Sequence, residues 1–105
     1  MSHRDVLYKR LNLNEAKKLL VKFLSHYEQG KAFLHLTNHF KERCLERDFS
    51  LNDAVNVLRA GSILKQGEPD IKTGQIVYNV ETPRMGVAFQ FIDEDRIRLI
   101  TVKRK

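Results

Sequence analysis

The stretch from Ile76 to Val102, IVYNVETPRMGVAFQFIDEDRIRLITV, holds three runs rich in β-branched and aromatic residues: Ile76–Val80, Val87–Ile92 and Ile97–Val102. Such runs are strand formers. The first two are joined by a segment carrying Pro83 and Gly86, the last two by the charged turn Asp93-Glu94-Asp95. Connections this short favour antiparallel neighbours, because a parallel pair needs a long crossover. In the middle run Val87, Phe89 and Phe91 alternate with Ala88 and Gln90. Period-two alternation puts the three bulky groups on one face of a strand. An antiparallel meander with one buried face is therefore expected.

Upstream the rhythm is helical. Between Ala16 and Tyr27 the apolar positions Ala16, Leu19, Leu20, Phe23, Leu24 and Tyr27 fall on one arc at about 100° per residue, with Lys17, Lys18, Lys22 and Ser25 on the other side. Asn14 reads as the N-cap and Gly30 as the stop, so a leading helix is expected over 14–29. Ala32–Leu36 is too short for a helix and reads as a strand. Thr37 or Asn38 then caps a second helix reaching to about Asp48. Ser50, with Asp53 three residues on, resembles a capping box and opens a third helix that ends at Gly61. Only Asp48-Phe49 separates the last two, so they form a tight helical hairpin. Ser62–Lys65 is a candidate fourth strand, followed by turn-rich segments at Gly67–Asp70 and Lys72–Gly74. Residues 1–13 read as a loose arm or short turn. The expectation is one α+β domain over 1–105, its N-terminal helices packed on one face of a three- to four-stranded antiparallel sheet.

At 105 residues the chain has the size of one domain, and a hydrophobic share of 42% suffices for one core. One cysteine excludes an internal disulfide and a multi-cysteine zinc site. No apolar run has the length of a membrane span, and the first ten residues lack the apolar centre of a secretory signal. A soluble, cytoplasmic protein is expected. Nineteen Lys and Arg against thirteen Asp and Glu leave a net charge of +6. That excess attracts polyanions, although it also serves solubility alone. Five of the cations lie in the last ten residues, Arg96, Arg98, Lys103, Arg104 and Lys105, with no carboxylate among them.

Spacing singles out His39, Arg43 and Arg47. At i, i+4 and i+8 on a helix they rotate by about 40° per step and stay within roughly 80° of one another. Arginine offers bidentate donors to phosphoryl oxygens, and imidazole moves protons near neutrality. The same stripe also reads as an ordinary charged face, with Glu42 and Glu46 beside it. His35 and His39 have a metal-compatible spacing, but no third ligand stands near in sequence, and neither a metal nor a cofactor is expected. His3 and His26 look incidental. Cys44 reads as an inert core thiol and Tyr78 as a core or edge aromatic. No phosphate-binding glycine loop is present. The acids Asp93–Asp95 read as a solvated turn, which sets a metal-using nuclease low.

The segment from His35 to Ser50, HLTNHFKERCLERDFS, resembles the pattern of a small bacterial family of unknown function: a short strand, then T-x-H-x-x-x-R-x-x-x-R, a turn, and a Ser capping a helix that ends in Gly. Thr37, His39, Arg43, Arg47, Ser50 and Gly61 carry it, and Ile100-Thr101-Val102-Lys103 resembles that family's closing strand. This family is in turn similar to the RelE-like superfamily of toxin ribonucleases, which includes RelE, BrnT and MqsR. The resemblance covers about residues 31–105. It implies a toxin of a toxin–antitoxin pair that cuts RNA, often ribosome-bound mRNA, and is silenced by a cognate antitoxin protein. No defined RelE catalytic set maps onto the chain residue by residue. Two readings follow. In the first, a metal-independent endoribonuclease uses His39, Arg43 and Arg47 at the scissile phosphate, with Arg98, Thr101, Lys103 and Arg104 along the RNA. In the second, the same surface is a RelE-like binding module without catalysis, for RNA or a partner protein.

Overall fold

A computed structural model describes residues 5–105, with side chains from Leu7 onward. His3 and the first four residues of the expected N-terminal arm lie outside the described residues. Among the described residues four helical segments and five strands follow one another as α1 (Asp5–Tyr8), α2 (Leu13–Glu28), β1 (Phe33–Leu36), α3 (Asn38–Glu46), α4 (Leu51–Ala60), β2 (Glu68–Pro69), β3 (Ile76–Glu81), β4 (Met85–Asp93) and β5 (Arg96–Arg104). The strands form one sheet in the order β1-β5-β4-β3-β2. Its centre is the expected meander: Tyr78 pairs with Phe89 across β3 and β4, and Val87 with Val102 across β4 and β5.

The sheet corrects the expectation in two respects. It has five strands rather than three or four, and it is mixed rather than antiparallel, because β1 pairs in parallel with the first half of β5, Phe33 with Arg96 through Leu36 with Leu99. The crossover from β1 back to β5 runs through both helices and the meander, so nothing local in the chain signals it. The candidate strand at Ser62–Lys65 supplies only a single bridge, Ser62 with Glu81. The additional edge strand is instead the two-residue β2 within the turn-rich segment.

The helix caps explain where the helices start. Asn12, not Asn14, caps α2: its side chain accepts from the Glu15 amide while the Glu15 carboxylate accepts from the Asn12 amide. Glu15 thus stands at the third helical position a capping box requires. The Thr37 hydroxyl caps α3, and Ser50 with Asp53 forms the second capping box, at α4. Asp48 takes φ 52° in the four-residue link between α3 and α4, a left-handed conformation that aspartate tolerates better than most residues. Gly61 ends α4 where a Cβ would stand 2.6 Å from the Val57 carbonyl oxygen and 2.9 Å from that of Glu81.

One hydrophobic core joins the helices to the inner face of the sheet. Leu20, Phe23 and Leu24 of α2, Phe40 of α3 and Ala54, Val57 and Leu58 of α4 meet Val80, Val87, Phe89, Phe91, Ile97, Leu99 and Val102. Tyr78, Phe89 and Phe91 stack and abut edge-on, with ring centroids 5.1 to 5.8 Å apart. The Tyr78 hydroxyl accepts from the Leu11 amide at 2.9 Å, tying the N-terminal segment to the sheet. Among the described residues no helix is long and apolar enough to cross a membrane.

Candidate functional site

Strand β5 loses its neighbour halfway along. Beyond Leu99 the β1 pairing stops and α3 begins, so the second half of β5 runs beside a helix instead of a strand. The junction is fixed by one side chain. The Thr37 hydroxyl accepts from the Phe40 amide at 3.0 Å and donates to the Ile100 carbonyl at 3.0 Å. The cap of α3 is thereby also its attachment to β5.

At the same point β5 carries a bulge. Ala88 pairs with Thr101 but Phe89 with Leu99, leaving Ile100 as an extra residue. A bulge shifts the side-chain alternation by one. Ile97, Leu99 and Val102 therefore all face the core, while Arg98, Thr101 and Lys103 fall on the outer face and Arg104 turns towards the helices.

Between α3 and this half of β5 lies a groove of about 390 Å³. His39, Arg43 and Arg47 line it from the helix, and Thr101, Val102, Lys103 and Arg104 from the strand. Six of the seven residues singled out from sequence thus share one concavity. Its lining holds four permanent cations and an imidazole and no carboxylate. The Arg43 Nε donates to His39 Nε2 at 3.4 Å, so in this pairing Nε2 is the accepting nitrogen. Arg43 is also held by Glu46, at 3.3 Å, an exposed pair of little energetic weight. Arg104 donates to the Arg47 carbonyl at 3.1 Å and lies 5.9 Å from the centre of the Phe49 ring. Among the described residues Arg47 and Lys103 have no carboxylate partner, which leaves both charges available to a ligand.

Arg98 stands apart. Its guanidinium donates to Gln75 at 3.2 Å and to Gln90 at 3.0 Å, and the Gln90 amide reaches Gln75 at 3.4 Å. Gln90 is 4% exposed, so Arg98 satisfies a buried amide on the outer face and does not line the groove. His35 is exposed on β1, and His26 pairs with Asp95 at 2.7 Å, between α2 and the β4–β5 turn. Among the described residues no group of three or more His, Cys, Asp or Glu could hold a metal ion. Burial, with Asp53 nearby, raises the Cys44 thiol above its ordinary range.

The sequence reading missed a second hollow. It lies on the outer face of the sheet, beyond the β5 edge, and shares Thr101 and Lys103 with the groove. The available signal was the small pair Gly86 and Ala88 on the outer face of a strand otherwise filled by large residues. Compared with the models of known protein families, with curated proteins and with solved structures, the chain matches none.

Proposed function

We propose that the protein is a toxin-type endoribonuclease that cleaves cytoplasmic RNA without a metal ion, with the scissile phosphodiester seated between α3 and β5. The carrying observation is the groove's lining: four guanidinium or ammonium groups and one imidazole, with no carboxylate to repel a phosphate. Arg47 and Arg43 hold the non-bridging oxygens and stabilise the charge that builds on them in the transition state. As Arg43 turns to the phosphate it releases the His39 Nε2 lone pair, and His39 takes the proton from the adjacent 2′-hydroxyl, whose oxygen attacks phosphorus. The bond to the 5′-oxygen breaks, and that oxygen takes a proton from water entering the open groove. The products are a 2′,3′-cyclic phosphate and a 5′-hydroxyl end. Lys103 and Arg104 hold the RNA backbone along the strand. The resemblance of residues 31–105 to RelE-like toxins supports this reading, and an antitoxin covering the groove would silence it.

One observation favours the alternative of a binding module without catalysis. The groove holds a single imidazole and neither a tyrosine nor a carboxylate as a second proton-transfer group. The Tyr78 hydroxyl is buried and engaged by the Leu11 amide. Incubation of the protein with RNA in EDTA separates the two. Cyclic-phosphate ends, lost by a factor of about 10²–10⁴ in His39→Ala, support the enzyme. Salt-sensitive binding without cleavage supports the module, and a His39→Ala variant that cuts at the parental rate removes His39 from the mechanism.

A further inference from the structure

The outer-face hollow differs in chemistry from the groove on the other side of β5. Its floor is Gly86 and Ala88, and its rim is set by Asn79 and Glu81 of β3, Thr101 and Lys103 of β5, and the segment Leu64–Gln66. Among the described residues the side chains of Asn79, Gln66 and Thr101 make no hydrogen bond within the protein, so two amides and a hydroxyl face the space unengaged. Glu81, paired with Lys105 at 3.2 Å, brings a carboxylate to the same rim. Lys65 and Lys103 stand on the same rim, but unlike the groove it also offers two amides and a hydroxyl, a set that suits the donor and acceptor edge of a nucleobase. Leu64, 62% exposed, adds an apolar surface for a ring.

Size narrows the choice. The hollow measures about 160 Å³. A cavity of about 150 Å³ takes a benzene ring, so one six-membered ring is the natural occupant. Position supplies the link, since Thr101 and Lys103 line both concavities. Only the width of β5 separates them, of the order of one strand spacing, ~4.8 Å.

On these grounds we infer that the outer-face hollow is a pyrimidine subsite: a single-stranded RNA whose phosphate lies in the α3–β5 groove turns one base over the β5 edge onto Gly86 and Ala88. The amides of Asn79 and Gln66 read its edge, and the hollow matches one six-membered ring, so a purine would project beyond it. This inference rests on the RNA reading of the groove and adds to it the base that the protein selects.

The test measures equilibrium binding of three short, non-cleavable 2′-O-methyl probes: oligouridylate, oligoadenylate and an abasic ribose-phosphate of equal length. The abasic probe reports the groove alone. Oligouridylate should bind about tenfold tighter than the abasic probe, the scale for one well-held base, and oligoadenylate no tighter than the abasic one. Ala88→Leu fills the floor and should erase the uridine advantage while leaving abasic binding unchanged. Asn79→Ala, at an exposed position that the core does not need, should reduce that advantage severalfold. Equal binding of uridylate and the abasic probe by the parent, or an advantage that survives both substitutions, overturns the subsite and leaves the groove standing. Failure of the parent to bind any of the three overturns the RNA reading and the subsite with it.

Discussion

Thr37→Val tests how the groove is built. Valine keeps the shape of the side chain and removes the hydroxyl. Two bonds vanish with it: the cap on the Phe40 amide and the tie to the Ile100 carbonyl, each 3.0 Å in the parent. Loss of a Ser/Thr cap costs typically about 1 kcal/mol. Leaving the Ile100 carbonyl without its donor at a half-buried position costs roughly another 1 kcal/mol, the low end for an orphaned acceptor. The sum is about 2 kcal/mol, which for a domain of this size lowers Tm by about 8–16 °C. Thr37→Ser keeps both bonds and gives up one methyl, under about 0.8 kcal/mol. Urea denaturation monitored by circular dichroism measures all three proteins. Because the hydroxyl anchors the start of α3 to the β5 bulge, Thr37→Val should also weaken phosphate binding at temperatures where the variant is fully folded. A valine variant within about 0.5 kcal/mol of the parent, or a serine variant as unstable as the valine one, refutes the double role.

Other consequences follow from the same geometry. Binding of single-stranded RNA should weaken with salt at a logarithmic slope of about −2 to −3, as expected for three or four neutralised phosphates, and Lys103→Ala should flatten that slope by about 0.7. Burial raises the Tyr78 hydroxyl above the ordinary value of 10.0, an effect opposed in part by the bond from the Leu11 amide. Its contribution to stability is therefore complete below about pH 10 and is lost as pH climbs through the raised value. Tyr78→Phe should abolish that alkaline loss and, by orphaning the Leu11 amide, cost about 1–2 kcal/mol at neutral pH in denaturant titrations. Gly61→Ala places a methyl against the Val57 and Glu81 carbonyls and should destabilise by about 1–3 kcal/mol in the same assay.

Much of the architecture is written in local pattern. The alternation of Val87, Phe89 and Phe91 against Ala88 and Gln90 marks β4, and Ser50 with Asp53 marks the start of α4, because both signals lie within a few residues of what they specify. The N-cap of α2 was also legible: the Asn12–Glu15 spacing meets the capping-box requirement, whereas Asn14 stands too close to Glu15 to do so. The parallel pairing of β1 with β5 was not legible, since it joins Phe33 to Arg96 across most of the chain and no local residue choice records it. The candidate site divides in the same way. The helical spacing of His39, Arg43 and Arg47 predicts a shared stripe, and α3 sets all three on the groove. Strict alternation along β5 fails at Leu99-Ile100, two consecutive apolar residues that signal the bulge. Overlooking it groups Arg98 with Arg104, which the bulge turns to opposite faces of the sheet.

The central claim is that phosphate recognition belongs to the α3–β5 groove and not to the net charge of +6 as a whole. Two variants of equal charge decide it: Arg47→Ala/Lys103→Ala inside the groove, and Lys17→Ala/Lys72→Ala, two exposed cations outside it. Equilibrium binding of the abasic ribose-phosphate probe is measured for both at one fixed salt concentration. The groove variant should lose more than about tenfold in affinity and the distant variant less than about twofold, the difference between direct phosphate contacts and a screened long-range field. Equal losses in the two variants would contradict the claim.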